Sequence, residues 1–160
     1  MLRIAVLTVV ACLAAAAAAP PFQPSEVRFG ATTSQIAASL AGKCTPMTTR
    51  RIDPPFLPRI RDKQLQIDCE GFMFFGKPRH AEFVIGDDRL QMVWIMTGAD
   101  EDAALLQAMT AAYGAPDRRN KTYDAFTAQR AALRLDRHEV LFYAPDLDTD
   151  MAPDFAPDAR

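Results

Sequence analysis

Cys44, Cys69, His80, His138 and the acids Asp68, Glu70 and Glu82 are the side chains of this 160-residue chain whose types suit chemistry. A thiolate beside an imidazole is an activated nucleophile, and Cys69 and His80 fall on facing arms of one expected hairpin. Alternation argues against that pair. Along "KQLQIDC" Leu65, Ile67 and Cys69 share one strand face, while His80 belongs to the outward set with Glu82 and Val84. Two cysteines and two histidines are also zinc-ligand types, but Cys44 and Cys69 stand 25 residues apart with no C-x-x-C spacing. Asp146-Leu147-Asp148-Thr149-Asp150 imitates the start of a calcium loop, with Met151 where the loop needs glycine and Pro157 where it needs a bidentate glutamate. Asp68, Glu70 and Glu82 on an outward strand face, with His80, supply the groups a small hydrolase would use for acid–base work. No phosphate loop, nucleophile elbow or dinucleotide fingerprint occurs. The sequence therefore assigns no catalytic residue, no metal ligand and no cofactor.

The start of the chain sets the compartment. Met1-Leu2-Arg3 is a short basic opening, Ile4 to Leu13 is apolar except for Thr8, and Ala14 to Ala19 is a small-residue run. This is the pattern of a secretory signal peptide, residues 1–18, too short to span a bilayer, with cleavage after Ala18. A competing reading takes Val9-Val10-Ala11-Cys12 as a lipobox that anchors the protein in the envelope through the Cys12 thiol. Either way the destination is the bacterial periplasm or its membrane surface. No second apolar run reaches membrane length. Arginine outnumbers lysine 14 to 4 and alanine is abundant, a composition associated with GC-rich bacteria. From Ala19 onward 17 basic residues face 20 acids, a mildly negative balance that argues against a nucleic-acid partner, whose binding wants a basic face. Asn120-Lys121-Thr122 is a glycosylation sequon relevant only to a eukaryotic secretory pathway.

Export leaves Cys44 and Cys69 in an oxidising compartment with one possible intramolecular pairing. A disulfide there closes a loop of about 25 residues, worth roughly 3 kcal/mol on chain-entropy grounds. Cys69 then reads as half of a clamp.

The elements that must hold these residues follow from periodicity. After a linker over 19–28, Thr32 with Gln35 has capping-box spacing, Ile36 and Leu40 share a helical face, and Gly42 stops the helix just before Cys44. Residues 45–63 carry four prolines and the basic side chains Arg50, Arg51, Arg59, Arg61 and Lys63, which predicts a surface connection or an edge segment. Three strands follow: 63–69, 80–85 with Ala81, Phe83 and Ile85 inward, and 90–96 with Leu90, Met92, Trp94 and Met96 inward. Gly71 marks a bulge that decides which of Phe72, Met73, Phe74 and Phe75 face the core. A second helix opens at Asp100-Glu101-Asp102, buries Leu105, Leu106, Met109, Ala112 and Tyr113, and ends at Gly114. A hairpin with arms 125–136 and 139–144 turns at Arg137-His138. From Ala144 the motif Ala-Pro-Asp occurs three times among acids, and residues 145–160 read as a disordered low-complexity tail. The expected fold is α+β: one domain over 29–144, an antiparallel sheet of about five strands, and two helices on one face.

Phe29-Gly30-Ala31-Thr32 with Ile36, Leu40 and Gly42, echoed by Tyr113-Gly114-Ala115-Pro116, resembles the opening and helix end of small exported bacterial modules. These are the β-lactamase-inhibitor-protein-like repeats and the small outer-membrane-assembly lipoproteins similar to them. The resemblance covers about 15 residues at each of two places. Ala31 departs from the usual Met or Ser, and the three-strand run and long proline loop depart from a simple repeat. It implies a fold, an envelope compartment and binding rather than catalysis, and it carries no functional residue over to this chain.

Two surfaces are then candidates for a partner, which the compartment makes another envelope protein. Val84, Val93 and Ile95 alternate to the face opposite the helices, where they would form an exposed apolar patch. Arg50, Arg51, Arg59 and Arg61 form a basic loop suited to an anionic partner. The expected function is a non-catalytic periplasmic binding or envelope-associated module, with a small hydrolase using His80 and the outward carboxylates as the alternative.

Overall fold

Thr32 opens the first helix in the way its spacing predicts. Its hydroxyl accepts from the Gln35 backbone N–H at 3.3 Å, and the Gln35 side chain accepts from the Thr32 N–H at 2.9 Å. This capping box starts α1, Thr33–Leu40, and Gly42 adopts φ +75° just past its end. The computed structural model describes residues 22–158; the expected signal peptide, its expected cleavage site and Cys12 lie outside the described residues.

Each half of the chain repeats one plan, a helix followed by four strands in sequence order. After α1 come β1 (Met47–Ile52), β2 (Gln64–Phe74), β3 (Lys77–Gly86) and β4 (Arg89–Met96). After α2 (Asp102–Tyr113) come β5 (Arg118–Arg119), β6 (Tyr123–Phe126), β7 (Ala131–Arg134) and β8 (Glu139–Tyr143). A short helix α3, Asp148–Met151, follows. β4 pairs with β8, so the meanders merge into one antiparallel sheet of order β1-β2-β3-β4-β8-β7-β6-β5. The second half runs through that order in reverse, which relates the halves by an approximate twofold at the β4–β8 seam.

The fold is α+β with an antiparallel sheet, as expected, but the sheet has eight strands rather than about five. The basic proline-flanked segment contributes an edge strand, β1. The pair Arg118-Arg119 forms the opposite edge. The expected arm 125–136 is broken at Arg130, whose φ of +53° turns it back so that β6 and β7 pair with each other.

The first sheet face packs against α1 and α2. Ile36, Leu40, Leu105 and Met109 from the helices share one core with Ile67, Cys69, Phe72, Phe74, Phe83 and Phe142. Cys44, just beyond α1, is disulfide-bonded to Cys69 at the centre of β2, which pins helix end to sheet. The core also reaches upstream of the expected boundary at residue 29. Val27 is buried, and the Phe22 ring meets Phe74 edge-on at 5.3 Å.

Two bulges set which residues face in. Cys69 pairs with Ala81 and Phe72 with Arg79, so β2 carries one residue more than β3 across that step, with Gly71 at φ +80°. The phase flips there: Phe72 and Phe74 enter the core, while Met73 and Phe75 remain exposed. Farther along, Val84 pairs with Met92 but Ile85 pairs with Leu90, which leaves Gln91 as the extra residue of β4. That insertion reverses the expected assignment of β4 from Met92 onward, while Leu90 lies inward as expected. Leu90, Val93 and Ile95 all pack on the helix side, and Met92 and Trp94 face away.

The second face is not open. Val84 points there but is fully buried beneath a second core of Leu57, Met92, Tyr123, Leu141, Tyr143, Leu147, Met151 and Phe155. The apolar patch expected from Val84, Val93 and Ile95 therefore does not exist; the bulge puts two of its members on the other face, and a cover buries the third. That cover is the segment expected to be a disordered tail. Phe155 wedges against Tyr123 at 5.2 Å and Tyr143 at 5.9 Å. The Asn120 side chain donates to the Asp154 and Ala156 carbonyls, and Arg130 makes a two-pronged bond to Asp148. Three apolar anchors and paired acids are what the composition of the tail concealed. Among the described residues no helix is long and apolar enough to cross a membrane.

Candidate functional site: the uncovered half of the second face

The cover ends short of β1, the Asp68–Glu70 part of β2 and the first half of β3, and there the second face turns polar. Asp68 of β2 and Glu82 of β3 are a cross-strand pair, so both carboxylates leave the same face side by side. Arg50 on β1 donates to Asp68 at 2.9 Å and stands 4.0 Å from Glu82. Gln66 donates to the other Asp68 oxygen at 2.6 Å. His80, two residues before Glu82, meets the Glu70 carboxylate through Nδ1 at 2.5 Å and Glu82 through Nε2 at 3.5 Å. One ligand atom each from Asp68, His80 and Glu82 lies within 4.8 Å of the other two. The carboxylates and His80 that the sequence proposed as one outward set are thus brought together. Cys69 is not among them: it faces the opposite side, inside the disulfide.

Beside this cluster the sheet floor becomes aromatic. Trp94 is the cross-strand partner of Glu82, and a groove of about 630 Å³ runs from it past Met92 and Tyr123 to Met151. Phe56, 57 % exposed, forms part of the rim. Arg134 lies across the floor with its guanidinium carbon 5.5 Å from the Trp94 ring centre and 5.7 Å from that of Tyr123. It donates to Asp136 at 2.7 Å and to Glu139 at 3.4 Å. Burial pushes the Glu139 carboxyl above the usual carboxylate range, with Arg134 and Arg137 pulling the other way. Burial likewise raises the Tyr123 phenol. Asp136, Asp150 and Asp154 also line the groove.

The basic loop residues are dispersed. Arg50 belongs to the carboxylate cluster, and Arg59 reaches the C-terminal cover, donating to the Asp146 carbonyl at 2.7 Å and pairing with Asp150. Arg51 and Arg61 are exposed on the strand and loop. Two of the four arginines thus already have acidic partners within the fold. The acids of the imitation calcium loop are similarly engaged, Asp148 by Arg130 and Asp150 by Arg59. His138 lies far from the cluster, 2.9 Å from Asp102 at the start of α2.

Sequence reasoning missed Trp94, Tyr123, Arg134 and Phe56. Trp94 was placed inward by alternation; that it is the only tryptophan was the one available signal. The meeting of Trp94 with Arg134 depends on the β4–β8 seam and on β7, pairings with no local trace. Comparison with protein-family models, curated proteins and solved structures found no match.

Proposed function

We propose that the chain is an exported, non-catalytic binding module that takes a basic, extended polypeptide segment of an envelope partner in the groove over Trp94. The carrying observation is the composition of that groove: an aromatic floor crossed by one arginine, with three aspartates around it. Acids around aromatic faces favour guanidinium and ammonium groups, through ion pairing and cation–π attraction together. Glu82, Glu70 and Asp68 extend the negative surface beyond the groove. Export is supported by the leader-like residues 1–18 and by the Cys44–Cys69 bond, which is compatible with an oxidising compartment. The resemblance to small exported bacterial modules points the same way.

Trp94 supplies the test, because its fluorescence reports this groove alone. Titration with lysine- and arginine-rich peptides is expected to change the emission saturably, and Asp136→Asn with Asp154→Asn is expected to weaken the response. An acidic peptide giving the same change, or basic peptides giving none, would end the proposal. The alternative, a small hydrolase, is supported by the His80–Glu70 contact. Turnover on a hydrolase panel that His80→Ala abolishes would favour it; turnover untouched by that change would exclude it.

A further inference from the structure

We propose that Asp68, His80 and Glu82 form a divalent transition-metal site on the second sheet face, with zinc its best occupant. Three observations meet there. The ligand atoms already converge to within 4.8 Å, from three partly buried side chains on two paired strands. His80 is oriented for ligation: Nδ1 lies 2.5 Å from the Glu70 carboxylate, which turns Nε2 toward Glu82, 3.5 Å away. A carboxylate behind a histidine is the usual outer partner of a metal-bound imidazole, fixing both tautomer and ring angle. A nitrogen and an oxygen each about 2.0–2.1 Å from a tetrahedral ion stand about 3.3 Å apart, close to the observed separation.

Charge points the same way. Asp68, Glu70 and Glu82 bring three carboxylates together, of which Asp68 and Glu82 meet the Arg50 guanidinium and Glu70 meets His80. The carboxylates of the cluster outnumber its guanidinium, an excess that a divalent cation would offset. Arg50 is 52 % exposed, so its side chain can turn outward as the ion enters. Gln66 holds Asp68 in place from the other side. One imidazole with two carboxylates suits zinc; calcium and magnesium demand a fuller set of oxygen ligands. The fourth position faces solvent. Nothing in this inference depends on the groove binding a peptide.

Isothermal titration of untagged, oxidised, chelator-treated protein with zinc chloride tests it. One zinc per chain is expected, with no comparable heat from calcium or magnesium. His80→Ala is expected to abolish binding, and Glu70→Gln to weaken it roughly 10- to 100-fold as an outer partner does. Arg50→Ala, which removes a competing cation, is expected to tighten it. His138→Ala should leave it unchanged. Melting curves in chelator show that each variant folds. Absence of zinc binding, or binding that His80→Ala leaves intact, would overturn the proposal, and loss in His138→Ala instead would place the metal elsewhere.

Discussion

The helix face of the sheet is closed by two helices with ordered ends, a disulfide and a continuous layer of aromatic and branched side chains. The second face is closed by Leu57, Ile60 and a C-terminal segment that touches the sheet through Leu147, Met151 and Phe155. Both covers exclude water, yet they differ in how they are joined to the rest. α1 and α2 each lead directly into strands of the sheet, so neither leaves without tearing the β-meander it begins. The C-terminal cover follows the last strand at Ala144, and its polar fastenings include ion pairs such as Arg130–Asp148 and Arg59–Asp150. One face is thus expected to carry global stability and the other to open locally, as peripheral units of folded proteins do.

The largest effect should come from the helix face. Phe83→Ala removes a fully buried ring that stacks edge-on against Phe72 at 5.6 Å, and a cost of about 3–5 kcal/mol is expected in chemical denaturation. Replacing Cys44 and Cys69 together by alanine should cost roughly 3 kcal/mol by the same measurement, the entropy of the loop they close. Phe155→Ala is expected to cost less, roughly 0.5–3 kcal/mol, and to act differently. Hydrogen exchange should rise over residues 145–158 while β2, β3 and β4 stay protected. A Phe155→Ala effect as large as that of Phe83→Ala, with loss of protection throughout, would erase the distinction between the faces.

Acid sharpens the comparison through Glu101, which tethers the start of α2. Arg79 holds both carboxylate oxygens at 2.8 Å and Lys77 adds a third contact. Hydrogen bonds from these two cations bring its pKa down from 4.5 to about 2. Because the folded value is depressed, the stabilisation is complete above the unfolded pKa near 4.5 and fades as pH falls toward about 2. Glu101→Gln should flatten the stability profile in that window. The smallest effect is expected at Arg130→Ala, which breaks an exposed pair on the cover worth about 0–1 kcal/mol. Its trace should be faster exchange in the cover alone.

Much of the helix face is legible in the sequence, because its signals are local. The Thr32–Gln35 spacing, the Leu105–Met109 stripe, the glycine stops and the two cysteines each speak for themselves. The second face is not, for reasons that are equally specific. Alternation assigns Val93 and Ile95 correctly only if no residue is inserted, and Gln91 is inserted. Nothing in "RLQMVWIM" announces the bulge; it is a choice made by two strands together. The cover hides Phe155 among prolines and acids, and those acids find arginines far back in the chain, Asp150 pairing with Arg59. The polar cluster was half visible: its carboxylates alternate plainly, but the approach of His80 to Glu82 and Asp68 needed the Gly71 bulge and the register of β2 on β3.

The two rims of the sheet have a consequence for life among other proteins. Among the described residues β1 and β5 have no strand neighbour on one side, so each offers backbone groups to a passing strand. β1 presents Arg50-Arg51 and β5 presents Arg118-Arg119, so two copies aligning rim to rim bring like charges together. Placing paired cations on exposed edges is a way for sheet proteins to resist uncontrolled polymerisation. A sheet of eight strands, closed on neither side, is thereby kept from growing into a ninth.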